Sequence, residues 1–176
     1  MIPEEEQLVL ACRNHDQEAC RQLYDKFAPI MLGVCMRYTH DRDTAQDILH
    51  DGFIKVFANL KHLRTPESLS TWIRSIMVNT ALDTIRKTIN TVSIDNLTID
   101  PSYTTDMQEF DHIDTETIVK ALQQLPAMQR FAFNLCEIEG YSEKDAAEYL
   151  RVQPSTVRAY CCRARQILQK QLFDNN

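Results

Sequence analysis

Residues 142–170 read SEKDAAEYLRVQPSTVRAYCCRARQILQK, and their pattern decides what kind of fold this chain adopts. Ser142 has the side chain of a helix N-cap, and Asp145 three positions on comes close to a capping box. Ala146, Ala147 and Leu150 then give one apolar side. After the turn Arg151-Val152-Gln153 comes Pro154. A proline is tolerated there because the first helical N–H has no partner inside the helix. From that point Val157, Cys161, Ala164 and Leu168 recur at helical spacing and should pack inward. Ser155, Thr156, Ala159, Cys162, Arg163 and Gln166 fall on the other side. Two helices and a tight turn, with small residues opening the second helix and hydroxyls and guanidinium groups along it, suit a helix-turn-helix in a major groove.

A solvated surface helix pair would share much of this pattern, so charge has to separate the two. Asp and Glu are absent from Arg151 through Phe173, although the chain holds 25 acidic residues. Arg151, Arg158, Arg163, Arg165 and Lys170 all lie in that span. DNA recognition is therefore the favoured reading. The net charge of −6 argues against indiscriminate nucleic-acid binding, which rests on cations. Its distribution is uneven: residues 1–90 carry 12 acids and 11 bases, residues 91–118 carry 7 acids and no Lys or Arg, and residues 119–176 carry 6 acids and 8 bases.

No apolar run is long enough to span a membrane, and the acidic start MIPEEEQLV lacks the positive charge of a signal peptide. A cytoplasmic protein is expected, with Cys12, Cys20, Cys35, Cys136, Cys161 and Cys162 as reduced thiols. Cys12, His15 and Cys20 suggest zinc, but no second ligand pair completes a tetrahedral site, so neither a metal nor another cofactor is expected. With 3 glycines and no β-branched alternation, the fold class is all-α.

Taken in order, residues 4–13 begin a short acidic helix. Asp16 caps a longer one with Ala19, Leu23, Phe27, Met31 and Val34 inward and a bend expected at Pro29. Asp41 or Asp43 starts another, where Ala45, Ile48, Phe53, Val56, Phe57 and Leu60 form a core stripe. Asp47, Asp51 and Lys55 stand four apart on its other side, where an Asp51–Lys55 pair is the simplest account. Beyond a loop at Lys61–Ser70, Trp72, Ile73, Ile76, Met77 and Ile85 face inward on a helix whose polar groups are Arg74, Asn79, Asp83, Arg86 and Lys87. Periodicity then fails, and residues 91–113 read as an acidic flexible linker with a mean span of roughly 30 Å. Residues 114–176 resume with Ile118, Leu122 and Leu125 on one helix. Met128, Phe131, Leu135 and Ile138 line the next, closed by Gly140. Two small helical domains, 1–90 and 114–176, are thus expected, the second a helix-turn-helix.

Two blocks together resemble the extracytoplasmic-function class of bacterial RNA polymerase sigma factors. DTAQDILHDGFIKVFANL and, after it, STWIRSIMVNTALDTIRK are similar to that family's region two. LPAMQRFAFNLCEIEGYSEKDAAEYLRVQPSTVRAYCCRARQIL is similar to its region four. Arg151 stands where the family usually has a turn glycine, Gln153 where it has a capping Ser, and Tyr160 where Arg is frequent. His50 and Asp51 stand where Gln and Glu are more usual.

The resemblance implies a subunit that binds core RNA polymerase and directs promoter-specific initiation. It implies that Asp47 and Asp51 meet the β′ coiled-coil of a polymerase also contacted through its β subunit. Arg74, Asn79, Arg86 and Lys87 would serve the −10 element, opening it beside a base pocket bordered by Lys61–Ser70. Ser155, Thr156, Arg158, Ala159, Arg163 and Arg165 would read the −35 element. An anti-sigma protein is a further partner the family often has. No catalytic constellation is evident, so an enzyme is not expected. A stand-alone regulator would need a dimer seam, and no heptad run offers one. A helical adaptor that ignores DNA is disfavoured by the acid-free second helix.

Overall fold

A computed structural model describes residues 4–63, 69–89 and 114–173, and every described element is helical. The expected linker at 91–113 lies outside the described residues, as does the middle of the Lys61–Ser70 loop. The chain divides into two compact units, Met1–Ile85 and Arg86–Asn176.

The first unit holds α1 (Glu4–Arg13), α2 (Gln17–Met36), α3 (Arg42–Asn59), a 3-10 turn at Leu60–His62 and most of α4 (Leu69–Ile89). Asp16 caps α2 by accepting from the Ala19 N–H at 3.0 Å, and Asp41 caps α3 by accepting from the Thr44 N–H at 2.8 Å. The Thr44 N–H and hydroxyl both hold the Asp41 carboxyl below its usual range. Its stabilisation is thus present above the ordinary carboxylate pKa and is lost as pH falls through the lowered one. Pro29 sits inside α2, which runs through it as one element. Leu23, Met31, Ile48, Leu60, Leu69, Ile73 and Met77 are fully buried. Trp72, Ile76 and Ile85, expected inward, are half-buried. Arg13 closes this unit by donating from Nε to the Leu60 carbonyl at 3.2 Å and from Nη2 to the Leu63 carbonyl at 2.7 Å.

The second unit holds α5 (Thr115–Gln124), α6 (Ala127–Phe133), a π turn at Asn134–Ile138, α7 (Glu143–Leu150) and α8 (Pro154–Phe173). Asp114 caps α5. The core brings Ala121, Leu122 and Leu125 against Phe133, Ala164 and Leu168. Gly140 comes after the π turn at φ 76, the left-handed conformation a glycine reaches without steric cost. One expectation fails here. Ile138 is 37% exposed, because the π turn adds a residue to the helical repeat and rotates Ile138 away from the Phe131 row.

α7 and α8 form the helix-turn-helix. Ser142 Oγ accepts from the Asp145 N–H at 3.1 Å and donates to the Asp145 carboxylate at 2.7 Å. In the turn, Arg151 itself adopts the left-handed conformation at φ 56, ψ 44. The Val152 N–H reaches the Ala147 carbonyl at 3.1 Å, as in a Schellman ending. A non-glycine residue there costs on the order of 1 kcal/mol. Arg151→Gly should therefore raise the unfolding free energy of this unit by about 1 kcal/mol in urea titration. Arg151→Ala should show no such gain, since it removes the charge but keeps the Cβ.

Candidate polymerase and nucleic-acid interfaces

Asp47 and Asp51 lie on an exposed side of α3, while Phe53 and Val56 are buried on the other. The expected Asp51–Lys55 pair does not form. Lys55 Nζ donates instead to Thr80 Oγ1 at 3.1 Å and stands 3.8 Å from the Asp83 carboxylate, both on α4. Tertiary packing offered Lys55 two partners against one on its own helix. Among the described residues, neither Asp47 nor Asp51 meets a cation. Ile54, 67% exposed, lies on the same side of the helix, within about 20° of Asp47. Sequence reasoning missed it, and its only signal was falling out of phase with the core stripe. Two exposed carboxylates beside an open isoleucine make a surface that a basic, partly apolar helix could cover.

On α4, Asn79 and Lys87 are exposed, and Arg74 and Arg86 are half-buried. At ~100° per residue, Asn79 and Arg86 fall within about 20° of one another, whereas Arg74 lies about 140° from Asn79. The structure therefore groups Asn79 with Arg86 and separates Arg74 from them. Asp83 shares their side of the helix, where its charge is offset by Lys55. Trp72 is half-buried on the same side.

On α8, Ser155 and Arg158 are exposed, and Thr156, Cys162, Arg163 and Gln166 are half-buried. Val157, Cys161, Ala164 and Leu168 are buried, as their spacing predicts. Three of the six expected contact residues behave differently. Ala159 is buried at 7% exposure, against the expectation that it faces outward. Helical spacing ranks residues around an axis but does not say what covers each side. Arg165 is not an open cation: it forms a part-buried ion pair with Glu137 of the π turn. Arg158 donates through Nε and Nη2 to the two carboxylate oxygens of Glu143, at 3.0 and 2.7 Å. That contact holds Glu143 below the usual carboxylate range and pushes Arg158 upward.

Two family models match the chain, Sigma-70 region 2 over residues 23–89 and Sigma-70 region 4 over residues 115–168. The RNA polymerase sigma-H factor of Pseudomonas aeruginosa is 30% identical over 187 residues, covering 96% of this chain and 94% of that protein. The chain belongs to the extracytoplasmic-function class of sigma-70 factors. The ECF RNA polymerase sigma-E factor of Haemophilus influenzae is similar too, at 25% identity over 94% of this chain and 93% of that one. Among solved structures, the sigma factor RpoE of Bartonella quintana, crystallised with the anti-sigma factor NepR, superposes with a TM-score of 0.54. It is 25% identical and covers 89% of this chain and 98% of that one.

As a sigma factor, the protein binds RNA polymerase and recognises promoters, and it is not an enzyme. Two features of its region four escaped sequence reasoning. Arg130 is 1% exposed and donates from Nη1 to the Gln123 carbonyl at 2.8 Å, satisfying an end-of-helix acceptor of α5. Burial lowers its pKa to about 10. Nothing in its spacing marked it as internal, since it comes directly after another polar residue. Glu137 and Glu143 are the second feature: both acids lie outside α8 in sequence yet hold two of its arginines. Among the described residues, no helix is long and apolar enough to cross a membrane, and no cluster of three His, Cys, Asp or Glu side chains could hold a metal.

Proposed function

We propose that this sigma factor reads a two-part promoter while docked on polymerase through α3. In this reading Asp47 and Asp51 meet basic residues of the β′ coiled-coil, with Ile54 adding apolar contact. α8 enters the major groove of the −35 element, where Arg163, Ser155 and Thr156 reach bases and phosphates. Ala159 and Arg165 drop out of that reading, being buried and ion-paired respectively. α4 serves the −10 element, with Asn79 on an exposed base edge and Arg86 and Lys87 on backbone phosphate. Arg74, on another side of α4, would need a different strand. The assignment of 1–90 to polymerase and −10 work, 91–113 to a linker and 114–176 to the −35 element is supported by the two family matches, which leave residues 90–114 between them. An anti-sigma protein is a further proposed partner, by analogy with the Bartonella sigma factor crystallised with one.

The observation that carries the docking is that Asp47 and Asp51 are exposed and, among the described residues, meet no cation, since Lys55 is turned toward α4. Asp51→Arg should therefore cut recovery of core RNA polymerase in pull-down by at least about tenfold, because a like charge at a docked interface costs several kcal/mol. Recovery equal to wild type would leave α3 as a merely solvated helix.

A further inference from the structure

The Glu143–Arg158 pair has a chemistry of its own. Glu143 is the first residue of α7 and Arg158 lies in the second turn of α8, 15 residues on, so the contact bridges the opening of both helices of the helix-turn-helix. It is a two-point fork that engages Nε and Nη2 with one carboxylate oxygen each. An arginine uses such a two-nitrogen fork on a phosphate or on guanine O6 and N7. The pair is exposed, Arg158 at 74% and Glu143 at 40% of their side-chain surfaces, so DNA has access to it. The other cation of this kind on the helix, Arg165, is held by Glu137 lower down in a more buried setting. Arg158 is thus the arginine whose partner an incoming duplex can replace.

We propose that Glu143 is a positioning and specificity-determining residue for promoter recognition, holding the Arg158 fork against α7 so that α8 makes one phosphate contact fewer on non-cognate DNA. This rests on the assignment of α8 as the duplex-reading helix. A misaligned phosphate offers one hydrogen bond in exchange for two and does not displace the carboxylate. An acceptor pair in the plane of the fork matches both bonds and does. Arg158 therefore contributes where geometry is right and is withheld elsewhere. In a protein of net charge −6, Glu143 sharpens discrimination at the expense of general affinity.

The test is a salt titration of the full chain on a fluorescein-labelled 30-base-pair duplex of arbitrary sequence, read by anisotropy. Glu143→Gln, which keeps the side-chain shape, should tighten binding roughly three- to tenfold and steepen the log–log salt slope by about 0.9, the signature of one added phosphate contact. Glu143→Ser should act in the same direction, covering the case in which the Gln variant folds poorly. With Arg158→Ala already in place, Glu143→Gln should change affinity less than about twofold, because the two residues act as one unit. An equal gain with and without Arg158 would reduce the effect to general charge and overturn the proposal. So would weaker binding by Glu143→Gln, which would make the pair a brace of the fold. Arg163→Ala separates the two levels. If it leaves duplex binding untouched, the reading of α8 fails and takes this proposal with it. If it weakens binding while Glu143→Gln has no effect, only the proposal fails.

Discussion

A promoter with five base pairs inserted between its −35 and −10 elements should support no detectable transcription by holoenzyme built on this sigma factor, where the unmodified template is active. About five base pairs is half a helical turn, so the insertion rotates one element to the far side of the duplex and moves it roughly 17 Å along the axis. In the proposed reading each unit engages its own element. Together on one template, each raises the effective concentration of the other by orders of magnitude. In that reading the length of chain between the two units does not help, because a docked polymerase would set where both units sit. A full-turn insertion restores the face but not the distance, so it should remain weak. Full transcription from the half-turn template would mean that the two units do not act on one promoter, and the two-element reading would be abandoned.

The second large effect is on stability. Leu122→Ala should cost about 2–5 kcal/mol, since Leu122 is fully buried in the cluster with Phe133, Ala164 and Leu168. A domain of this size has only several kcal/mol in hand, so the melting transition of the region-four unit should fall by about 10 °C or more, or vanish, in calorimetry. Transcription that depends on the −35 element should fall with it. Leu122→Met, close in volume, should cost less than about 1.5 kcal/mol. A Leu122→Ala protein that melts like wild type would remove Leu122 from the core.

Local signals were legible where the physics is local. The caps at Asp16 and Ser142 could be read, and Asp41 was one of two candidates for the next, because a capping side chain reaches only three residues along the chain. The inward row Val157, Cys161, Ala164 and Leu168 could be read because apolar spacing is a property of a single helix. Gly140 could be read as a helix end because its left-handed φ is what glycine is used for. The break in phase at Ile138 could not, since nothing in the residues around Asn134 distinguishes a π turn from one more α turn.

By itself, then, the amino-acid sequence determined an all-helical chain in two units, a helix-turn-helix near its end, and a likeness to sigma factors in two separate blocks. Only the tertiary structure decided how charge is shared out on those helices. Lys55 turns to Asp83, 28 residues away, and leaves Asp51 open. Arg165 is taken by Glu137, also 28 residues away, and Arg158 by Glu143. Arg130 goes inside to meet the end of α5. Helix formation depends on neighbours a few residues off, whereas an ion pair forms with whichever opposite charge the fold brings within about 4 Å. Sequence spacing predicts the first and carries no information about the second until the helices are packed.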